Sequence, residues 1–291
     1  MSLAEFQRRL LAWHREHHRP LPWRETTDPY AVLVSEVMLQ QTGVERVLSK
    51  YRAWLERWPT WEALAGASLG EVIRFWEPLG YNRRALWLHR IAQRVVGEWG
   101  GTLPAEPQAL ESLPGIGPYT RNAVLCFAFG RDVPVLDTNI RRVLGRALLG
   151  VEGASEGAVA SVARGLVPAG EGRRWNLALM DLGATVCLAR RPLCDRCPVA
   201  DLCAWRGAGM PPGKRRRGQG PFPGSTRYYR GRILARLRRL PLAGVLPLAL
   251  LCAQVGLDRG QAQRLMDTLR REGLVQVREE GGDYLLSLPD Q

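Results

Sequence analysis

Four cysteines, Cys187, Cys194, Cys197 and Cys203, fall within seventeen residues in a C-x6-C-x2-C-x5-C run. A run this dense can bring four thiols toward one centre. That points to a bound metal group, and first to a [4Fe-4S] cluster. Structural zinc sites more often use two separated C-x2-4-C pairs than one C-x2-C flanked by gaps of six and five. A four-thiolate zinc knot and disulfides are the alternatives that the spacing leaves open. The other two cysteines, Cys126 in AVLCFAFG and Cys252 in LALLCAQVG, lie in apolar helix-like runs and read as buried, inert thiols.

The chain has 291 residues, 46% of them hydrophobic, enough for a packed core and about two domains. Its formal net charge of +13 points to a polyanionic partner. Lys50 and Lys214 are the only lysines, so the positive surface is built from arginine forks that can grip phosphate with two donors at once. The longest apolar run, LPLAGVLPLALLCAQVG, is interrupted by Pro241 and Pro247 and is too short to cross a bilayer. No membrane or export segment is read, so unpaired cysteines beside a cluster suggest a cytoplasmic, nucleoid-associated setting. Nothing in the sequence requires more than a monomer.

Helical signals run almost unbroken as far as Trp205. The N-terminus opens with a Ser2-x-x-Glu5 capping box and places Leu3, Phe6, Leu10 and Trp13 on one helical face. Asp28 and Pro29 supply an N-cap and a first-turn proline for a helix over YAVLVSEVMLQQT, and further periodic stretches include RRALWLHRIAQRVVGEW, PYTRNAVLCFAFG and RWNLALMDLGATVC. Residues 207–225 break the pattern: glycines, prolines and the basic run at 214–217 predict a flexible linker that adds electrostatic grip on a nucleic acid. Beyond it come three helical stretches and then two alternating runs around Glu-Glu-Gly-Gly-Asp, the order of a winged-helix module.

Three groups outside the cysteine run carry chemistry. In LPGIGPYT, Gly115 and Gly117 stand between a helix end and a helix start, where they let the backbone approach a charged oxygen and aim N–H groups at it. Glu36 has Val32, Leu33 and Leu39 as its helical neighbours; desolvation there favours the neutral acid and raises the pKa toward the range of a general acid. An outward-facing helix glutamate is the plainer reading. Asp137 follows PVL and precedes TNIRRVLGR, so helix capping is its default role, although a carboxylate held there could also face a developing positive charge.

Taken together, SEVMLQQT, LGYNRRA, LPGIGPYT, VLDTNIRRVL and LMDLGATVC, followed by the cysteine run, resemble the helix-hairpin-helix DNA glycosylases, and most closely the MutY-type adenine DNA glycosylases, over residues 1 to about 206. The resemblance implies an all-α fold of two domains. A six-helix barrel over residues 28–136 would carry the hairpin, and a cluster domain would combine residues 1–27 with 137–206. The linker over 207–225 and the winged-helix-like domain over 226–291 would follow.

It implies site roles as well. Glu36 would protonate N7 of a flipped-out adenine, and Asp137 would stabilise an oxocarbenium-like sugar, a division of labour like that of glycoside hydrolases. Tyr119 stands where relatives with lyase activity keep a lysine, so a monofunctional glycosylase is expected. Asn139 would orient the catalytic groups, and Trp23, Arg24 and Asp181 would line the adenine pocket. Gln41, with Gln40 beside it, and Tyr81 would wedge into the stack and hold the opposite strand of a duplex with a mismatched or oxidised base pair. Arg190, Arg191 and Arg196 would present charge to phosphates.

The chain departs from the family pattern in two ways. Residues 226–291 read as a small winged helix where the family pattern leads one to expect a C-terminal domain resembling nucleotide-pool hydrolases, and Asn82 replaces the aromatic residue that commonly follows Tyr81. Thymine- or uracil-excising glycosylases of the superfamily, and a non-enzymatic redox-sensing regulator with a cluster and a winged helix, are the competing readings.

Overall fold

The computed structural model describes residues 2–213 and 220–289. The basic run at 214–217 lies outside the described residues. In chain order the helices are α1 (Leu3–His17), α2 (Pro29–Leu39), α3 (Val44–Arg57), α4 (Trp61–Ala65), α5 (Leu69–Phe75), α6 (Arg83–Trp99), α7 (Pro107–Glu111), α8 (Pro118–Phe127), α9 (Thr138–Ala147), α10 (Glu156–Ala163), α11 (Gly172–Thr185), α12 (Ala204–Gly207), α13 (Thr226–Arg238), α14 (Leu248–Val255) and α15 (Arg259–Arg271). The strands β1 (Leu246–Pro247), β2 (Gln276–Glu280) and β3 (Asp283–Ser287) form an antiparallel sheet in the order β1-β3-β2. No helix among the described residues is long and apolar enough to cross a membrane.

The chain divides into two units, residues 1–36 with 104–217 and residues 37–103 with 218–291. This partition differs from the boundaries read off the sequence. Residues 104–136 pack with the cluster segment, and the C-terminal segment packs with 37–103 instead of standing alone.

In the first unit α11 is the central helix, packed by α1, α8 and α9, with Phe6 edge-on to Trp175 at 6.1 Å. Helix α1 starts at Ser2, whose hydroxyl accepts the Glu5 N–H at 3.4 Å, but it buries Phe6, Leu10 and His14, not Trp13. His14 takes the buried face in place of Trp13 and meets the buried Asp181 carboxylate at 3.2 Å. Helices α7 and α8 form a hairpin whose turn needs Gly115, at φ +77°; Gly117 is extended and serves as the N-cap before Pro118. Between α9 and α11 a glycine is required by close approach: a Cβ on Gly183 would stand 2.6 Å from the Asn139 Cβ.

In the second unit Trp54 meets Trp58 and Trp76 edge-on, and α6 packs on α4 and α5. The C-terminal segment is pinned to this bundle by interlocked arginines. Arg74 donates to the carbonyls of Arg238, Leu240 and Pro241, and Arg238 donates in return to the Ile73 carbonyl at 2.9 Å and the Asn82 side chain at 2.5 Å. The three helices and terminal hairpin expected there are present, with the short strand β1 as an addition. Cys252 is half-buried, against the expectation of a buried thiol, whereas Cys126 is buried as expected.

Candidate active site and iron–sulfur loop

Helix α2 places Glu36. Asp28 caps its start by accepting the N–H groups of Tyr30 and Ala31 at 3.1 and 3.2 Å, and Pro29 takes the first turn. Residues 30–38 are all buried, so Glu36 is a carboxylate in an apolar helix, 5% exposed. Burial pushes its pKa up to about 7, against the lowering effect of the Tyr119 hydroxyl, which donates to Oε2 at 2.8 Å. The charge of Asp137 reaches Glu36 and adds to the rise, while that of Arg24 opposes it.

Asp137 does two jobs at once. Its Oδ1 caps α9 by accepting the Ile140 N–H at 2.6 Å, and its Oδ2 accepts from the Asn139 amide at 2.8 Å. Burial raises its pKa, and these donors, with the charge of Arg142, work against that rise. Arg142 continues the chain of contacts. It donates to Asn139 Oδ1 at 2.8 Å, to the Gly183 carbonyl at 2.6 Å and to the Cys187 carbonyl at 2.7 Å. The carboxylate is thereby tied through two side chains to the first cysteine of the run.

Trp23 and Arg24 sit in a 3-10 turn, Pro22–Arg24, with Trp23 buried. Arg24 forks onto Asp181 at 2.7 and 3.0 Å, and Arg19 and His14 reach the same carboxylate at 2.5 and 3.2 Å. Asp181 is 0% exposed. Burial alone would raise its pKa, but the hydrogen bonds from His14, Arg24 and Arg19 overturn that and hold it well below the usual carboxylate range. Its side chain is therefore engaged in orienting Arg24.

In the second unit, α2 ends at Leu39 instead of running to Thr42, because Gln41 takes the left-handed conformation at φ 56°. Tyr81 does the same at φ 45° and stays 46% exposed. Non-glycine residues hold such conformations only when their surroundings enforce them. Arg84 supplies the enforcement. Its guanidinium, 3% exposed with its residue, donates to the carbonyls of Val37, Met38, Gln40, Leu79 and Gly80 and to the Thr42 hydroxyl, all at 2.6–3.0 Å. One side chain thus fastens the loop that presents Gln41 to the loop that presents Tyr81.

The cysteine loop leaves α11 at Cys187 and makes two 3-10 turns, Cys194–Arg196 and Ala200–Leu202. All four cysteines are free thiols, which removes the disulfide reading. Burial pushes the Cys197 thiol up to about 11, and the other three cysteines lie near enough to add to the shift. Among the described residues no three His, Cys, Asp or Glu side chains converge as ligands of a single ion. Arg146 holds the loop in place, reaching Cys187 Sγ at 3.4 Å and the Leu188 and Ala189 carbonyls at 2.8 and 3.0 Å, with its guanidinium 4.5 Å from the Trp205 ring centre. Arg190, Arg191 and Arg196 are exposed.

Residues 34–168 match the family described as HhH-GPD superfamily base excision DNA repair protein, and residues 187–203 match the iron–sulfur binding domain of endonuclease III. The adenine DNA glycosylase of Mycobacterium tuberculosis is 44% identical over 278 residues, spanning 91% of this chain and 88% of that protein. The chain belongs to the adenine DNA glycosylase family. The human adenine DNA glycosylase is 42% identical over 70% of this chain and 40% of its own length. A thermostable thymine-DNA glycosylase of solved structure has 31% identity and a TM-score of 0.66 over 71% of this chain and 97% of its own. An endonuclease III–DNA covalent intermediate shares the fold, with a TM-score of 0.62 at 21% identity, 72% of this chain and 100% of that one being covered.

Family membership sets aside the non-enzymatic regulator, and the matched loop makes the four cysteines a [4Fe-4S] site in place of a zinc knot. Of the residues that the sequence singled out, the first unit brings Glu36, Tyr119, Asp137, Asn139, Arg24 and Asp181 into one network of contacts and charges. Sequence reading missed His14, Arg19, Arg84 and Arg142. The available signal was weak: Arg142 stands three residues after Asn139, a spacing that puts the pair on one helical face, whereas Tyr81 precedes α6 and gave no such signal for Arg84.

Proposed function

We propose that the protein hydrolyses the N-glycosidic bond of adenine paired with 8-oxoguanine or guanine in double-stranded DNA. The observation that carries this reading is the buried Glu36 carboxyl, with a pKa of about 7 and its hydrogen bond from Tyr119, within electrostatic reach of Asp137. At neutral pH such a group is protonated part of the time and can give its proton to N7 of an extruded adenine. The C1′–N9 bond then breaks with the electron pair leaving on the base, and the sugar develops positive charge. Asp137 faces that charge with its position fixed by Ile140 and Asn139. Water adds at C1′, its proton passing to Glu36. Tyr119 offers no amine for a Schiff base, so the product is an intact abasic site.

Trp23 and Arg24 bound the space for the base, with Asp181 acting through Arg24. Gln41 and Tyr81 would enter the stack and hold the opposite strand, and Gly115 would bring the hairpin backbone to a phosphate. Cys187, Cys194, Cys197 and Cys203 would hold the [4Fe-4S] cluster, which would supply a structural tie for the loop that carries Arg190, Arg191 and Arg196. The protein would act as a monomer.

The test is incubation with duplexes holding A opposite 8-oxoguanine, A opposite G, T opposite G or U opposite G, followed by alkali. Cleavage at the adenine of the first two, and only after alkali, is expected. Cleavage at thymine or uracil, or strand scission without alkali, would overturn the reading.

A further inference from the structure

Asp137 is delivered by residues 131–136, which belong to no helix or strand. A stretch outside regular structure has to find partners for its own backbone groups, and at Val135, 0% exposed, water does not supply them. Two asparagine side chains do. Asn176 of α11, 1% exposed, accepts the Val135 N–H at 2.8 Å and donates to the Val133 carbonyl at 2.9 Å. Its carboxamide brackets Pro134 as one residue of a neighbouring strand would, and proline, with no N–H of its own, leaves no donor unpaired at the bracketed position. The Pro134 carbonyl goes to Asn122 of α8, whose amide donates to it at 2.8 Å.

Both asparagines are themselves held. Asn176 also donates to the Gly172 carbonyl at 2.8 Å, at the start of its own helix. Arg121 donates to Asn122 Oδ1 at 2.9 Å and pairs with Glu111 of α7 at 2.6 Å, so the Asn122 amide end is the one left to face Pro134. Asn122 stands three residues after Tyr119 on α8, a spacing that puts the two on one helical face. At the far end of the segment the Asp137 N–H donates to the Val135 carbonyl at 3.1 Å, so a shift of the segment carries Asp137 with it. Apolar side chains at 122 and 176 could fill the same space, but they would leave the Val133 and Pro134 carbonyls and the Val135 N–H without these partners.

We infer that Asn122, working with the buried anchor Asn176, is a positioning residue for Asp137: it ties the segment that delivers the carboxylate to the helix that carries Tyr119. Asp137 then meets the sugar in a place fixed before the reaction starts. This rests on the glycosylase reading above.

The experiment compares Asn122→Leu, which removes the donor at nearly constant volume, and Asn122→Ala, which removes it with space to spare, with the full-length wild type. Single-turnover release of adenine opposite 8-oxoguanine is followed across pH. Binding is measured on the same duplex with a 2′-fluorinated adenosine, whose glycosidic bond resists cleavage. The rate constant should fall about 10- to 100-fold, the effect of a displacement on the order of 1 Å, with duplex affinity unchanged. The alkaline limb of the pH–rate profile should also move to lower pH, because the charge of Asp137, which raises the Glu36 pKa, is held less closely. A merely structural role would lower the folded fraction, and with it rate and binding capacity together, while leaving the limb in place. That parallel loss, an unmoved limb, or an unchanged rate in both variants would overturn the inference. Absence of adenine release by the wild type would instead overturn the glycosylase reading, so the two failures are distinguishable.

Discussion

Tyr119 Oη donates to Glu36 Oε2 at 2.8 Å, so the buried acid keeps a hydrogen-bond partner, with the charges of Asp137 and Arg24 also in reach. That contact and the burial pull the pKa in opposite directions, and burial wins. The protonated fraction of Glu36, on which the proposed chemistry depends, is set by this balance.

Adenine release should therefore fall as pH rises through about 7 and the Glu36 proton is lost. Because the folded pKa exceeds the ordinary 4.5, the unfolded chain gives up this proton first as pH rises from 4.5 to 7, and stability drops by about 3 kcal/mol across that window. Glu36→Gln should lower the single-turnover rate by about 10³-fold or more. It should also raise Tm at pH 8 and leave it unchanged at pH 4.5. A variant no more stable than wild type at pH 8 would contradict the buried, shifted acid.

Tyr119→Phe removes a hydrogen bond that lowers the Glu36 pKa, so the alkaline limb of the pH–rate profile should move to higher pH. Burial holds the Tyr119 phenol itself well above its usual pKa, so it stays a donor across the whole range. A limb that stays in place or moves down would show that this contact does not tune the acid.

Asp181→Asn should cost about 3–5 kcal/mol, because Arg24 and Arg19 would lose the carboxylate that compensates their partial burial. A fall in Tm of about 10 °C is the expected size. The depressed pKa of Asp181 means that its contribution is complete at neutral pH and is lost as pH falls below the ordinary 3.8 and through the folded value. The gap in Tm between wild type and variant should narrow at low pH. A constant gap would point to packing instead of charge.

Arg84→Lys keeps the charge and discards the planar fork that reaches six carbonyls and a hydroxyl. Buried carbonyls left without donors cost about 1–3 kcal/mol each, so stability should fall by several kcal/mol. Duplex affinity should fall with it, as Gln41 and Tyr81 lose the support of their left-handed conformations. An unchanged urea midpoint would remove Arg84 from this role.

The comparison of sequence with structure divides along one physical line. The cysteine run, the apolar surroundings of Glu36, the capping position of Asp137 and the Gly115 turn are local properties of the chain, fixed by spacing, helical period and backbone sterics, and all four were legible. Even the two readings of Asp137 prove compatible, since one oxygen caps α9 while the other meets Asn139.

What only the tertiary structure decided is which distant charges meet. Asp181 finds Arg24, Arg19 and His14 across separations of 157, 162 and 167 residues, and Asn82 finds Arg238 across 156. No periodicity encodes such pairs. A buried charge must be matched by whichever donor the packing of remote helices delivers, and that choice is made by the folded core as a whole.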